Sequence, residues 1–350
     1  MKSEVSRLMN ETIDSLGVLG VDDYVNIVRG VWIRIHPRRT VVDYALHVLD
    51  HATKLGEAIR RDDADLILKE TAGTANWLFG FVAKLRDDKT GLESRFNIPI
   101  EFSRMIWHKY PNICPHCAQK VFISSGGQKP IGNALKDLKG KCKYCLADYP
   151  KVEKRTIGEK YEELKQASDK ELRNYAQEHL DEIPKSLKEM EAMFHRIYES
   201  NTALSTLESI GFHILEEAGE MGRAVIDIYT DKTKDSTLED KHYALCDEVA
   251  EVFAWLCSLT LKVQDQARSF DKYGNRLVSY FLPSQSNEQL TDLVGLERIL
   301  WVNYRNKKTK RYQCDYCGSS TCECKLEFSW EEKKNRKRRT SSVPNMWSYY

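Results

Sequence analysis

Residues 213–225, HILEEAGEMGRAV, align in register with residues 47–59, HVLDHATKLGEAI; His, Leu, Ala, Gly and Ala are identical and most other pairs are conservative. Working outward, Cys246–Leu256 (CDEVAEVFAWL) pairs with Leu68–Leu78 (LKETAGTANWL), sharing Glu, Ala, Trp and Leu. The second copy carries twelve extra residues between these blocks, in the polar stretch around Asp231–Asp240. Each copy then reaches a W-x-x-Y element (Trp107 to Tyr110, Trp301 to Tyr304) followed by a cysteine cluster. Three matches in one order point to duplication, and a repeat constrains the architecture before any single element is assigned.

Within each copy the apolar residues recur at helical spacing. Leu207, Ile210, Ile214, Met221, Ala224 and Ile228 form one stripe; Leu245, Val249, Val252, Leu256 and Leu259 form the next. In the first copy Leu46, Leu49, Ile59, Trp77 and Phe81 mark the corresponding stripe. Helices are expected at about 22–35, 40–61, 63–86, 186–229, 241–262 and 286–305. No sustained period-two alternation occurs outside the short cysteine modules. The fold class is therefore all-α, as tandem helical-bundle repeats each followed by a small zinc-binding module. The chain divides into a degenerate helical domain (1–109), a zinc ribbon (110–150), a charged linker (151–185), a second helical domain (186–306), a second zinc module (307–330) and a basic tail (331–350). The linker alternates in charge and reads as a solvated spacer helix ending near Pro184. The tail's run KKNRKRR reads as a solubilising end, with nucleic-acid binding there or at the zinc modules as the less favoured use.

Charge narrows the function classes. Fifty-three basic residues against fifty-two acidic ones leave +1, so no global field commits the chain to nucleic acid. A 30% charged and 41% hydrophobic composition fits a folded, helix-rich protein. No run of 18 apolar residues predicts a membrane span, and the N-terminal twenty residues lack a secretory pattern, so a cytoplasmic chain is expected.

Eight of the ten cysteines cluster. Cys114 and Cys117 (CPHC) and Cys142 and Cys145 (CKYC), with 24 residues between, have zinc-ribbon form: four thiolates in two knuckles close a tetrahedral structural site. Cys314, Cys317, Cys322 and Cys324 form a shorter second set, giving two structural Zn²⁺ in all. Cys246 and Cys257 fall in an apolar helical pattern and are expected to be packed thiols.

The second copy holds the acids. Glu217 and Glu220 are three apart on one expected helix, Glu248 and Glu251 on the next, so each pair shares a face. Glu217 falls within its apolar stripe, and Glu248 and Glu251 flank theirs beside Trp255. Carboxylates facing a core carry a desolvation cost of several kcal/mol unless paired or metal-bound. No Lys or Arg is built into either pair, so a hard divalent cation is the simplest solution, and carboxylate oxygens suit Mg²⁺ or Mn²⁺.

This arrangement, E217-A-G-E220, 27 residues, then E248-V-A-E251, resembles the ExxE…ExxD signature of the MazG-type all-α nucleoside triphosphate pyrophosphohydrolases. K272-Y-G-N275 resembles that family's substrate-side segment. The likeness covers about 190–280, and the last acid is Glu251 where the family usually has Asp. It implies a hydrolase cleaving a nucleoside triphosphate to monophosphate and pyrophosphate with Mg²⁺ or Mn²⁺. Glu217, Glu220, Glu248 and Glu251 would be ligands, with Lys272, Asn275 and neighbouring Arg276 as phosphate or sugar contacts. One ligand or Glu216 would take the proton from the water. A homo-oligomer, dimer or higher, is also implied. The competing class is a non-catalytic zinc-ribbon scaffold or sensor that holds nucleotide or nucleic acid.

In the first copy the four positions read His51, Lys54, Glu70 and Gly73. Three acids are missing and Lys54 repels a cation, so this copy is expected to be catalytically dead. Its expected use is structural; a regulatory anion site of His51, Lys54, Arg60 and Arg61 is the alternative.

Overall fold

A computed structural model describes residues 19–33, 36–87, 101–128, 160–230, 237–268, 295–304, 312–314, 317 and 319–322. The first half supplies α1 (Val21–Val31), α2 (Val41–Arg60), α3 (Ala64–Asp87), α4 (Phe102–Lys109) and α5 (Pro115–Ser124). After α6 (Lys160–Glu178), the second half supplies α7 (Leu187–Leu204), α8 (Leu207–Thr230), α9 (Leu238–Arg268) and α10 (Leu296–Tyr304). No strand occurs among the described residues, in keeping with the all-α expectation. No described helix is long and apolar enough to cross a membrane.

Local chemistry sets the starts. Thr40 and Asp43 cap α2 reciprocally, and Ser186 and Glu189 do the same for α7, satisfying N–H groups that have no partner inside the helix. The continuous helix expected over 186–229 is in fact two. The Ser205 N–H closes α7 on Asn201 O, and Thr206 Oγ1 accepts the Ser209 N–H to open α8. A hydroxyl at that position offers the backbone an alternative to continuing the helix.

Helices α2 and α3 pair, α8 and α9 pair, and α2 lies along α8 to join the pairs. Gly211, near the start of α8, meets Ile59, near the end of α2; a Cβ at Gly211 would stand 2.6 Å from Ile59 Cδ1. The glycine permits that closeness. The W-x-x-Y helices then cross over. Helix α4 packs on α9, with Phe102 and Phe253 edge to face at 5.2 Å, whereas α10 packs on α3. Trp301 Nε1 donates to Tyr24 Oη (2.7 Å), which donates to Glu297 Oε1 (2.8 Å). One apolar core runs continuously through residues of both halves.

Two positions that the sequence match equates have the same local geometry. His47 stacks on Trp77 at 4.0 Å, and His213 on Trp255 at 4.2 Å. Other expectations are revised. Leu46 is 58% exposed and does not belong to the core stripe, although Ile59, Trp77 and Phe81 are buried. The linker helix α6 is not simply solvated: Ser168, Leu172 and Ala176 form a buried stripe against α4 and α5, and Trp107 Nε1 donates to Ala176 O (3.0 Å). The four-residue spacing of that stripe lies beneath the charge alternation that suggested a spacer.

Candidate active site

Glu217 and Glu220 stand on α8, and Glu248 and Glu251 on α9, which packs beside it. Carboxylate oxygens of Glu217, Glu248 and Glu251 lie within 4.8 Å of one another. Glu220 is not among them. Its side chain stands at the exposed edge of α8. There it lines a cavity of about 480 Å³ with Glu248, Arg223, Asp227, Asp240 and Lys241. The expected convergence of four acids is therefore a convergence of three, with the fourth at the rim.

Ala218, Met221, Val249 and Val252 are buried around these acids, so the carboxylates stand against apolar core. Glu217 Oε2 and Glu248 Oε2 are buried and have no hydrogen-bond partner. Burial, a hydrogen bond to Glu251, and the charges of Glu251, Glu248 and Glu220 push the Glu217 carboxyl far above the carboxylate range. Burial, Glu251 and Glu220 push Glu248 up as well. Glu251 moves the other way: burial opposes its charge, but Lys109 and the Glu217 hydrogen bond outweigh it.

Lys109 is the residue that sequence reasoning missed. Helix α4, from the first half, carries it across to α9, where Nζ stands 2.7 Å from Glu251 Oε1 and 3.5 Å from Asp247 Oδ2. Burial works against the ammonium, but Asp247 and Glu251 hold its titration above the ordinary lysine range. The only signal in the sequence was the mismatch between the copies at this point of W-x-x-Y, Lys109 against Asn303. Glu216 is exposed and pairs with His213 Nδ1 at 3.1 Å, and these two lie within 4.8 Å of a Glu217 oxygen.

The matched positions of the first half are arranged differently. His51 Nδ1 pairs with Glu70 Oε2 at 2.7 Å, both side chains being buried. The His51 ring lies over Gly73, where a Cβ would stand 2.3 Å from Nδ1. Lys54 turns outward to Asp50 (2.6 Å), and Arg60 and Arg61 both pair with Glu57. The four basic residues considered for an anion site are thus each engaged by an acid of their own or the adjoining helix.

Cys114 and Cys117 are buried at the start of α5 beside Ile197 and Tyr198 of α7. The described part of this module is helical; Cys142 and Cys145 lie outside the described residues. Sulfurs of Cys314, Cys317 and Cys322 lie within 4.8 Å of one another, a cluster able to hold a metal such as zinc. The Cys322 N–H donates to Val31 O (2.6 Å) at the end of α1, tying this cluster to the first half. Cys324, Lys272, Asn275 and Arg276 lie outside the described residues. Cys246 and Cys257 are buried in α9. No family model, curated protein or solved structure matches this chain.

Proposed function

We propose that the chain is a Mg²⁺- or Mn²⁺-dependent nucleotide pyrophosphohydrolase of MazG-like type, with a working second half and a degenerate first half. One observation carries the reading: three acids converge against apolar core, two of their buried oxygens lack any partner, and Lys109 answers only part of the charge. Hard carboxylate oxygens of this kind fit a divalent magnesium-class cation. Duplication is supported by the matched His–Trp stacks and by the crossed α4 and α10.

Glu217, Glu248 and Glu251 would hold the cation, with Glu220 at the rim toward the cavity. The bound cation supplies charge to the phosphate oxygens as the bond breaks. Water oxygen bonds to the α-phosphorus, the bond from that phosphorus to the α–β bridging oxygen breaks, and pyrophosphate leaves with the electron pair. The proton passes to a carboxylate, either a ligand or Glu216, whose partner His213 holds it beside Glu217. Lys272, Asn275 and Arg276 remain the proposed substrate contacts. Zinc in both cysteine sets, with Cys142, Cys145 and Cys324 completing them, is proposed as structural.

Incubation of the pure chain with Mg²⁺ or Mn²⁺ and a panel of nucleoside triphosphates tests the assignment. Pyrophosphate and monophosphate are the expected products. Orthophosphate with a diphosphate product contradicts attack at the α-phosphorus, and no turnover of any nucleotide favours the scaffold or sensor.

A further inference from the structure

We infer that Lys109, supplied by the first half, is a working residue of the second half's site: its ammonium, paired with Glu251, competes with a cation for that carboxylate and turns to substrate phosphate once the cation binds. The inference rests on the carboxylates being a divalent-cation site. Geometry comes first. Nζ is 2.7 Å from Glu251 Oε1 and 3.5 Å from Asp247 Oδ2, and the side chain is only 20% exposed. A dication ligated by the same carboxylate would stand beside that ammonium, and two cations at such spacing repel strongly where water is scarce.

The backbone around Lys109 is anchored while the side chain is long. Trp107 is tied to Ala176 O, His108 stacks on Tyr243, and Tyr110 packs edge to face on Phe194 at 5.0 Å. The charged end can therefore swing on its four-carbon stem without moving α4. A polyphosphate on the cation would offer it new oxygens as Glu251 is taken up by the metal.

The other half supports a site-specific role. Asn303 stands at the matched position of α10, and α10 packs on α3, which carries Glu70 of the His51–Glu70 pair. Lysine occurs where the acids converge, and a neutral amide occurs where they do not. A lysine needed only to fasten a W-x-x-Y helix would serve equally in both halves.

Mn²⁺ binding to the full chain without nucleotide, read from the free-ion electron paramagnetic resonance signal, tests this independently of turnover. Lys109→Met keeps the stem and removes the competing charge, so it is expected to bind Mn²⁺ about tenfold tighter. Lys109→Arg is expected to stay near wild type. Equal or weaker binding by Lys109→Met overturns the inference alone. Absence of Mn²⁺ binding by the wild type overturns the cation site itself and this inference with it. Amine acetylation of the wild type, mapped by mass spectrometry, needs no variant to fold. Saturating Mn²⁺ should raise labelling at Lys109 several-fold, and unchanged labelling means that the ammonium is not released.

Discussion

Glu217 and Glu248 make the fold's stability depend on pH when no metal is present. In the unfolded chain both titrate at about 4.5, and folding raises both, Glu248 to about 7 and Glu217 further. The folded state therefore binds more protons above pH 4.5, so their contribution is fully present below that value and is lost as pH rises, through about 7 for Glu248 and through about 10 for Glu217. Glu191, buried where it accepts from the Leu296 N–H and Thr260, is also raised to about 7 and adds a part of the same sign. Glu251, depressed beside Lys109, loses its contribution only as pH falls through its lowered value. With chelator present, the melting temperature should fall between pH 5 and 8, Glu217→Gln should flatten that fall, and saturating Mn²⁺ should reverse it. Identical slopes in wild type and variant would remove Glu217 from the buried cluster. Turnover of Glu217→Gln, measured as pyrophosphate release, should drop by more than the roughly 10–100-fold cost of losing an outer partner of a metal. At this scale the acids were legible because they interrupt an apolar stripe. Lys109 was not, because its partners lie more than 130 residues away and no local spacing links them.

Helices α3 and α9 present matched glutamates in opposite circumstances. Glu248 sits in the three-acid cluster, whereas Glu70 is closed off by His51 over Gly73. Glu70→Gln is expected to leave turnover within about twofold, and Glu248→Gln to abolish it, because a lone carboxylate cannot hold Mg²⁺ against its hydration shell. Equal losses in a steady-state assay would show that Glu70 takes part in the chemistry. Gly73→Ala should cost about 1–3 kcal/mol in a denaturant melt, since its Cβ meets the His51 ring. Helix periodicity made most of these elements legible, with ends shifted by a few residues. The break at Ser205–Thr206 was hidden because apolar positions continue across it; only the Thr206 cap marks it.

Across the whole molecule, the halves are locked by exchange as well as by the α2–α8 seam. Helix α4 lies on α9, α10 lies on α3, and the Cys322 backbone is tied to α1. The likeness of the two halves was readable from three matched blocks, but the crossing of the W-x-x-Y helices was not, since pairing within a half satisfies the same pattern. A 185–350 fragment would uncover α8 at Gly211, where Ile59 packs, and Phe253, where Phe102 packs, and would lose Lys109, so light scattering should find it self-associated or aggregated. A monomeric, fully active fragment would make the halves independent. Cys322→Ser should lower bound zinc by elemental analysis and lower the melting temperature, because the cluster fastens the second half's end to α1. The most direct test of the central claim is turnover of a nucleoside triphosphate in ¹⁸O-water with Mg²⁺, followed by ³¹P nuclear magnetic resonance. The account predicts label in the monophosphate and none in pyrophosphate, with the reaction lost in Glu248→Gln. Label in pyrophosphate or orthophosphate, or undiminished reaction in Glu248→Gln, would contradict it.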